Sequence, residues 1–305
     1  MKKFTLKIGL LLVLVVFMDS ALGRFMEFSY FKQKKGKGYR ITNVLENVKS
    51  DILIFGSSRA AAHYDPSIIE KETGLSTYNL GMGGQTIMYH KAILDVVLKR
   101  YKPKLILLEL YEGMDFESGM TPYDRLSVLL PYSNKYPSVK KVVEQRSYFE
   151  SLKLLSKLYP YNSLLLRIIE GNLGYLKTDY TDNGFIPAIG NWNFPIKEKI
   201  QTQTNYNEDH VRLFYDFVNV CKQNDISLFV VISPIYQKSK DYFSFSQQIC
   251  DSAKVSLHNY SSESVYISNN KFFQNIDHLN PEGAKVYSEF IGLKLNDWLK
   301  TKIIN

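Results

Sequence analysis

Short apolar runs that stop at a glycine, a proline or a charged turn, each followed by a stretch of helical period, constrain the fold of this chain more than any other feature. "DILIFG" (51–56) is apolar until Gly56, and "STYNLGMGG" (76–84) runs into a glycine-rich turn. "LILLEL" (105–110) precedes charged residues, "ISLFVVISP" (226–234) ends at Pro234, and "VSLHNY" (255–260) is a fifth candidate. Runs of this length suit strands buried on both faces of a parallel sheet. Between them, "PSIIEKETG" (66–74) has Pro near its start and Gly at its end, the asymmetry of a helix. "TIMYHKAILDVVLKRY" (86–101) puts Tyr89, Ile93, Val96, Val97 and Tyr101 on one helical face. Helices are also expected over 207–225 and 243–254, and a final amphipathic helix opens at Pro281. The alternation predicts an α/β fold: a flavodoxin-like three-layer sandwich with a parallel sheet of about five strands. Ligands in such folds sit at the carboxyl ends of strands, where Gly56, Gly84, Tyr111 and Pro234 lie. From about 115 to 200 the alternation gives way to a mainly helical insertion broken by prolines, then to a loop-like stretch rich in Gly, Asn, Pro and aromatics.

The N-terminus is organised differently. Lys2, Lys3 and Lys7 precede an unbroken apolar run from Ile8 to Met18, ended by Asp19. The run is shorter than the roughly 20 residues of a full span. Residues 1–24 therefore read either as a cleaved secretory signal or as a retained anchor, both implying export. Residues 25–50 are polar and basic, the composition of a linker with some helix, and 51–305 are expected to form the α/β domain. The net charge of +8 raises nucleic acid as a partner, but the lysines are scattered and no recognition module is present. The densest basic run, "KQKKGKGYR" (32–40), follows the apolar segment, where it suits anionic headgroups. Cys221 and Cys250 have neither metal nor redox spacing and leave one disulfide or two buried thiols open.

Three motifs fall at strand ends. In "FGSSRA" (55–60), Gly56 lets the chain turn out of the strand and presents Ser57 or Ser58 at the rim. A phosphate loop would need a second glycine and a lysine that are absent. "NLGMGG" (79–84) lacks the third glycine of a dinucleotide fingerprint, since position 86 is Thr86. Its glycines instead offer backbone N–H groups able to hold an oxyanion. In "NIDHLNPEGA" (275–284), His278 lies in a loop before the last helix, after Asp277. None of the histidines has metal-ligand spacing, and no cofactor is implied.

The order of these motifs resembles the SGNH/GDSL hydrolase superfamily, over 51–111 and 226–300. The resemblance implies Ser58 as nucleophile and His278 as base. It implies Gly84, with Asn79 before it, at the oxyanion. Two departures are visible. The third block, expected to supply an Asn after "LILLEL", reads "YEGMD", and the position three before His278 is Asn275 rather than Asp. Asp277 is the nearest substitute for that carboxylate. Arg59 is a candidate either to hold substrate or to anchor the helix through a salt bridge, and "NGFIPAIGNWNF" (183–194) either to stack on sugar rings or to pack as an ordinary loop. The branch it looks closest to is exported, membrane-anchored and acts on surface polysaccharides. That implies a serine-dependent esterase or O-acyltransferase with a carbohydrate substrate, a membrane contact through the N-terminus and, for transfer, an acyl-donating membrane protein. The alternative is a degenerate relative that binds glycan or serves in assembly.

Overall fold

The computed structural model describes residues 1–117, 122–175, 180–190, 192, 205–236, 243–267 and 269–304. Part of the expected sugar-stacking stretch, Asn191 and 193–194, lies outside them. In chain order the elements are α1 (Lys2–Phe31), α2 (Gly36–Glu46), β1 (Ile52–Phe55), α3 (Ser58–His63), α4 (Pro66–Thr73), β2 (Thr77–Asn79), α5 (Ile87–Val97), β3 (Leu105–Glu109) and α6 (Glu112–Asp115). The helical segment that follows holds α7 (Pro122–Arg125), α8 (Pro137–Val143), α9 (Glu150–Lys153) and α10 (Leu165–Asn172). The alternation resumes with α11 (Glu208–Gln223), β4 (Ser227–Ile232), α12 (Ser244–Ser252), β5 (Leu257–Asn259) and α13 (Ser264–Ile267). It ends with β6 (Phe273–Asn275), β7 (His278–Leu279) and α14 (Pro281–Ile304).

Among the described residues, β1 to β5 form one parallel sheet in the order β2-β1-β3-β4-β5. That is the flavodoxin-like order. Side chains alternate across it, as a period of two requires. Ile52, Ile54, Leu105, Leu107, Phe229 and Val231 share one core with Tyr287, Ile291 and Leu295 of α14. From the opposite face, Phe55 meets Phe217 of α11 edge-on at 5.6 Å. The strands are buried from both sides, which is why the sequence shows apolar runs rather than alternation. Caps set the helix ends: Asp65 accepts the Ser67 N–H at 2.9 Å, and Gly74 closes α4 in the left-handed conformation.

Two compact units result: Met1–Glu46 with Tyr123–Thr178, and Asn47–Pro122 with Asp179–Asn305. In the first, α1 runs without a break past residue 24 to Phe31, and α2 follows at once. Residues 25–50, expected as a linker, are therefore largely helical. Tyr30 is buried, its hydroxyl 3.1 Å from that of Tyr132, and Asn172 Nδ2 donates to Ser29 O at 2.9 Å. The expected insertion also divides. Its helices lie in the first unit, whereas 180–190 returns to the sheet, where Asn79 N–H donates to Asn183 O at 2.9 Å. Cys221 and Cys250 are both buried and unbonded, and burial pushes each thiol up to about 12.

Candidate active site

At the end of β1 the chain reaches Gly56, whose φ is +141°. A Cβ there would stand 2.7 Å from Glu109 O and 2.8 Å from Ala60 Cβ, so this turn needs glycine. Ser57 caps α3 with its Oγ buried and unbonded. Ser58 opens the helix half-buried, with a backbone N–H that has no acceptor inside the helix. Of the two serines, it is Ser58 that meets the histidine: Ser58 Oγ and His278 Nε2 are 2.7 Å apart, across 220 positions of sequence.

His278 does not sit in a loop as expected. It opens β7, which pairs antiparallel with β6 across a tight Ile276–Asp277 turn. Asn275 organises that turn. Its Oδ1 accepts the Asp277 N–H at 2.9 Å and the His278 N–H at 3.0 Å, and lies 3.0 Å from His278 Nδ1. Its Nδ2 donates to Gln274 Oε1 at 2.5 Å. Two backbone donors can face only the carbonyl end of the amide. The ring must therefore present a protonated Nδ1 to Oδ1, leaving the Nε2 lone pair for the Ser58 hydroxyl. Asp277 does not orient the ring; its Oδ1 accepts from Tyr111 Oη at 3.2 Å. Burial, then the nearby Arg59, lowers the His278 pKa below its ordinary 6.5, and Asp277 opposes this.

Arg59 is not a substrate contact. Its side chain is fully buried, donating from Nε to Glu109 Oε1 at 2.9 Å and from Nη2 to Ser233 O and Oγ at 2.5 and 2.7 Å. The Glu109 carboxylate keeps the guanidinium charged in spite of its desolvation. Glu109 also accepts from Tyr64 Oη, Ser233 N–H and Ser233 Oγ. Ser233 Oγ is 2.8 Å from His63 Nδ1, and His63 Nε2 accepts the Leu279 N–H at 3.0 Å. This buried chain ties the helix that carries Ser58 to the strand that carries His278, with Arg59 Nη1 its one member atom left without a hydrogen-bond partner. Neither His63, Ser233, Tyr64 nor Glu109 was singled out from sequence. Glu109 left one trace: a carboxylate inside an otherwise apolar strand needs a buried partner.

Asn79 is likewise spent on the scaffold. Its Nδ2 donates to Ala60 O and Tyr64 O at 2.7 and 2.9 Å, and its Oδ1 accepts the Gly81 N–H at 2.8 Å. These bonds pull the glycine turn onto α3, where a Cβ on Gly81 would fall 2.3 Å from Ala61 N. Gly84 turns the chain at φ +75°, but the glycine against the Ser58 side chain is Gly83, whose added Cβ would lie 3.6 Å from Ser58 Cβ. In the third-block position Tyr111 packs over the Arg59 guanidinium, 5.1 Å from its ring centroid, and no Asn is there.

No family model and no curated protein matches the chain. Among solved structures, it is similar to a protein assigned as a lipolytic member of the G-D-S-L family from Desulfitobacterium hafniense DCB-2. The identity is 9% over 79% of this chain and 97% of that one, with a TM-score of 0.39. An assigned acylhydrolase from Bacteroides fragilis NCTC 9343 is 12% identical over 88% and 99%, with a TM-score of 0.43. An acetyl xylan esterase is 10% identical over 80% and 97%, with a TM-score of 0.38.

Proposed function

We propose that this chain is an exported, membrane-anchored serine esterase or O-acyltransferase of SGNH/GDSL type that acts on acyl esters of a surface carbohydrate. The observation that carries the reading is the Ser58 Oγ–His278 Nε2 contact, with the ring held in the base tautomer by Asn275. Ser58 attacks the ester carbonyl while Nε2 takes its proton. The reading assigns the tetrahedral oxyanion to backbone N–H groups of Ser58 and of the Gly83–Gly84 turn, whose Gly83 lies against the Ser58 side chain. The imidazolium then protonates the leaving alkoxide. Water, or a sugar hydroxyl, releases the acyl group in the second half-reaction, its proton going to His278.

Asn275 departs from the expected carboxylate in charge but not in orientation. Where an Asn replaces the Asp of a catalytic triad, the roughly 10⁴-fold loss is attributed to the wrong histidine tautomer. Here the tautomer is right, so only the electrostatic support of the imidazolium is lost. Asn275→Asp is expected to raise kcat about 10- to 100-fold, far short of that figure. The Asp277 and His278 backbone N–H groups that face position 275 keep the new carboxylate ionised. The new charge also raises the His278 pKa. In the parent protein the base stays neutral below the ordinary 6.5, so the acid limb of kcat/KM lies under that value. In Asn275→Asp the limb moves to higher pH. A pH–rate profile on p-nitrophenyl acetate measures both, and an unshifted limb with unchanged kcat would remove Asn275 from the mechanism.

The carbohydrate part of the reading rests on an aromatic pair beside the histidine ribbon. Trp192 N–H donates to Phe273 O and Tyr236 N–H donates to Ile276 O, both at 3.1 Å, and the two rings are 5.0 Å apart. Trp192→Ala is expected to raise KM about 3- to 10-fold for an acetylated oligosaccharide and to leave that for p-nitrophenyl acetate unchanged. Equal effects on both esters would count against a sugar substrate. The anchor is supported by α1 continuing into the helical unit. Asp19 accepts from Ser156 Oγ at 2.5 Å and from Lys157 N–H at 2.8 Å, bonds that cleavage after Gly23 would remove.

A further inference from the structure

The helical unit leaves a cluster of large apolar side chains uncovered. Tyr148, Phe149, Leu152 and Leu155, four residues within eight positions, are 94%, 60%, 63% and 74% exposed. Scattered exposed apolar residues are ordinary, but a contiguous group marks a surface that something covers. Tyr148 and Phe149 stack edge-on with centroids 4.9 Å apart, forming one aromatic projection.

The position of the cluster along α1 indicates what covers it. The chain immediately after Leu155 is pinned to Asp19 through Ser156 Oγ, Lys157 N–H and Leu158 N–H. Gly23 packs against Lys157 so closely that a Cβ would lie 2.4 Å from its carbonyl carbon. Asp19 is the first charged residue after the apolar run Ile8–Met18, whose side chains project from the fold. The cluster thus lies at the level where the unbroken apolar run of α1 meets its first charge, past which Arg24 and Glu27 alternate with the exposed Leu22, Phe25 and Phe28. For an anchored helix this is the headgroup boundary, where aromatic residues concentrate and interfacial helices bury apolar side chains about 5–10 Å deep. The exposed Lys157 at the same turn suits anionic headgroups.

We infer that α9 and the residues flanking it form a lipid-contacting face, with Tyr148, Phe149, Leu152 and Leu155 seated in the bilayer interface around the exit of α1. The inference rests on reading α1 as a retained anchor and adds to it a second contact. That contact fixes the helical unit against the membrane surface rather than leaving it on a swivel.

Depth-dependent quenching tests this in the full chain reconstituted into phosphatidylcholine/phosphatidylglycerol vesicles. Cys221 and Cys250 are buried with raised thiol pKa, so bimane reacts at an introduced cysteine. Four single variants are compared: Val13→Cys in the apolar run, Leu152→Cys and Leu155→Cys in the cluster, and Leu173→Cys. Leu173 is exposed beside Asn172, which bonds Ser29, ten positions and therefore about 15 Å beyond Asp19 along α1. Brominated acyl chains are expected to remove about half or more of the emission at 13, 152 and 155, with iodide acting mainly at 173. Quenching at 13 but iodide access at 152 and 155 overturns the interfacial face and leaves the anchor standing. Shielding of 152 and 155 from both quenchers means that protein covers them, which also overturns it. No lipid quenching at 13 removes the anchor itself, and equal lipid quenching at 155 and 173 removes the placement of the interface at Asp19.

Discussion

On the proposed reading, Ser58→Ala is expected to lower kcat for an acyl ester by on the order of 10⁴-fold or more and to abolish covalent labelling by a fluorophosphonate. A nucleophile and its base act as one unit, so deleting either removes nearly all that the pair contributes. The neutral Asn275 lowers the starting rate, which makes the expected loss smaller than in a triad with a carboxylate. The fold is expected to tolerate the change. Ser58 Oγ bonds to His278 Nε2 on the rim, and α3 is held by Arg59, Asn79 and the Gly81 contact rather than by this hydroxyl. The paired measurement is therefore labelling with thermal denaturation. An unchanged melting curve with lost labelling supports the nucleophile. Labelling that persists in Ser58→Ala places the chemistry elsewhere, and an unlabelled parent protein makes this chain a binding or assembly component instead.

Arg59→Met destabilises the α/β unit by about 3–5 kcal/mol, the usual cost of removing one partner from a buried ion pair. Both side chains are completely inaccessible, so solvent does not screen the loss. Glu109 keeps Tyr64 Oη and the Ser233 donors, but its charge is left uncompensated in the interior. Arg59→Met/Glu109→Gln removes both charges and is expected to regain part of the stability. Urea unfolding of the two variants measures this. The single variant also loses the bonds to Ser233, and with them the support that reaches the Leu279 backbone through His63. Its residual activity should fall through kcat more than through KM. A variant as stable as the parent would show that Arg59 faces substrate after all.

The layered architecture was legible because burial leaves a pattern. A strand covered on both faces must be apolar throughout, and a helix covered on one face must repeat near 3.6 residues. β1, β3 and β4 announced themselves in this way, and Pro66, Gly74 and Pro281 marked helix ends by requirements local to a few residues. The roles of Arg59 and Asn79 stayed open in the sequence for the opposite reason. A polar residue beside a nucleophile looks the same in sequence whether it faces substrate or the scaffold. Glu109 and Ser233, which decide the matter for Arg59, lie 50 and 174 positions away. His63 was passed over because its two partners belong to β7 and to the end of β4. The polar composition of 25–50 suggested a linker with some helix, and 25–31 and 36–46 lie on α1 and α2.

Sequence alone determined the alternating order of strands and helices, the glycine at the first strand's exit, and the candidate pairing of the Ser58 hydroxyl with one distant imidazole. Tertiary structure decided that the two meet, which nitrogen carries the proton, and that an amide rather than a carboxylate holds it. The reason is that local patterns report what each segment buries. Hydrogen-bond geometry between remote segments exists only once the sheet has brought them together.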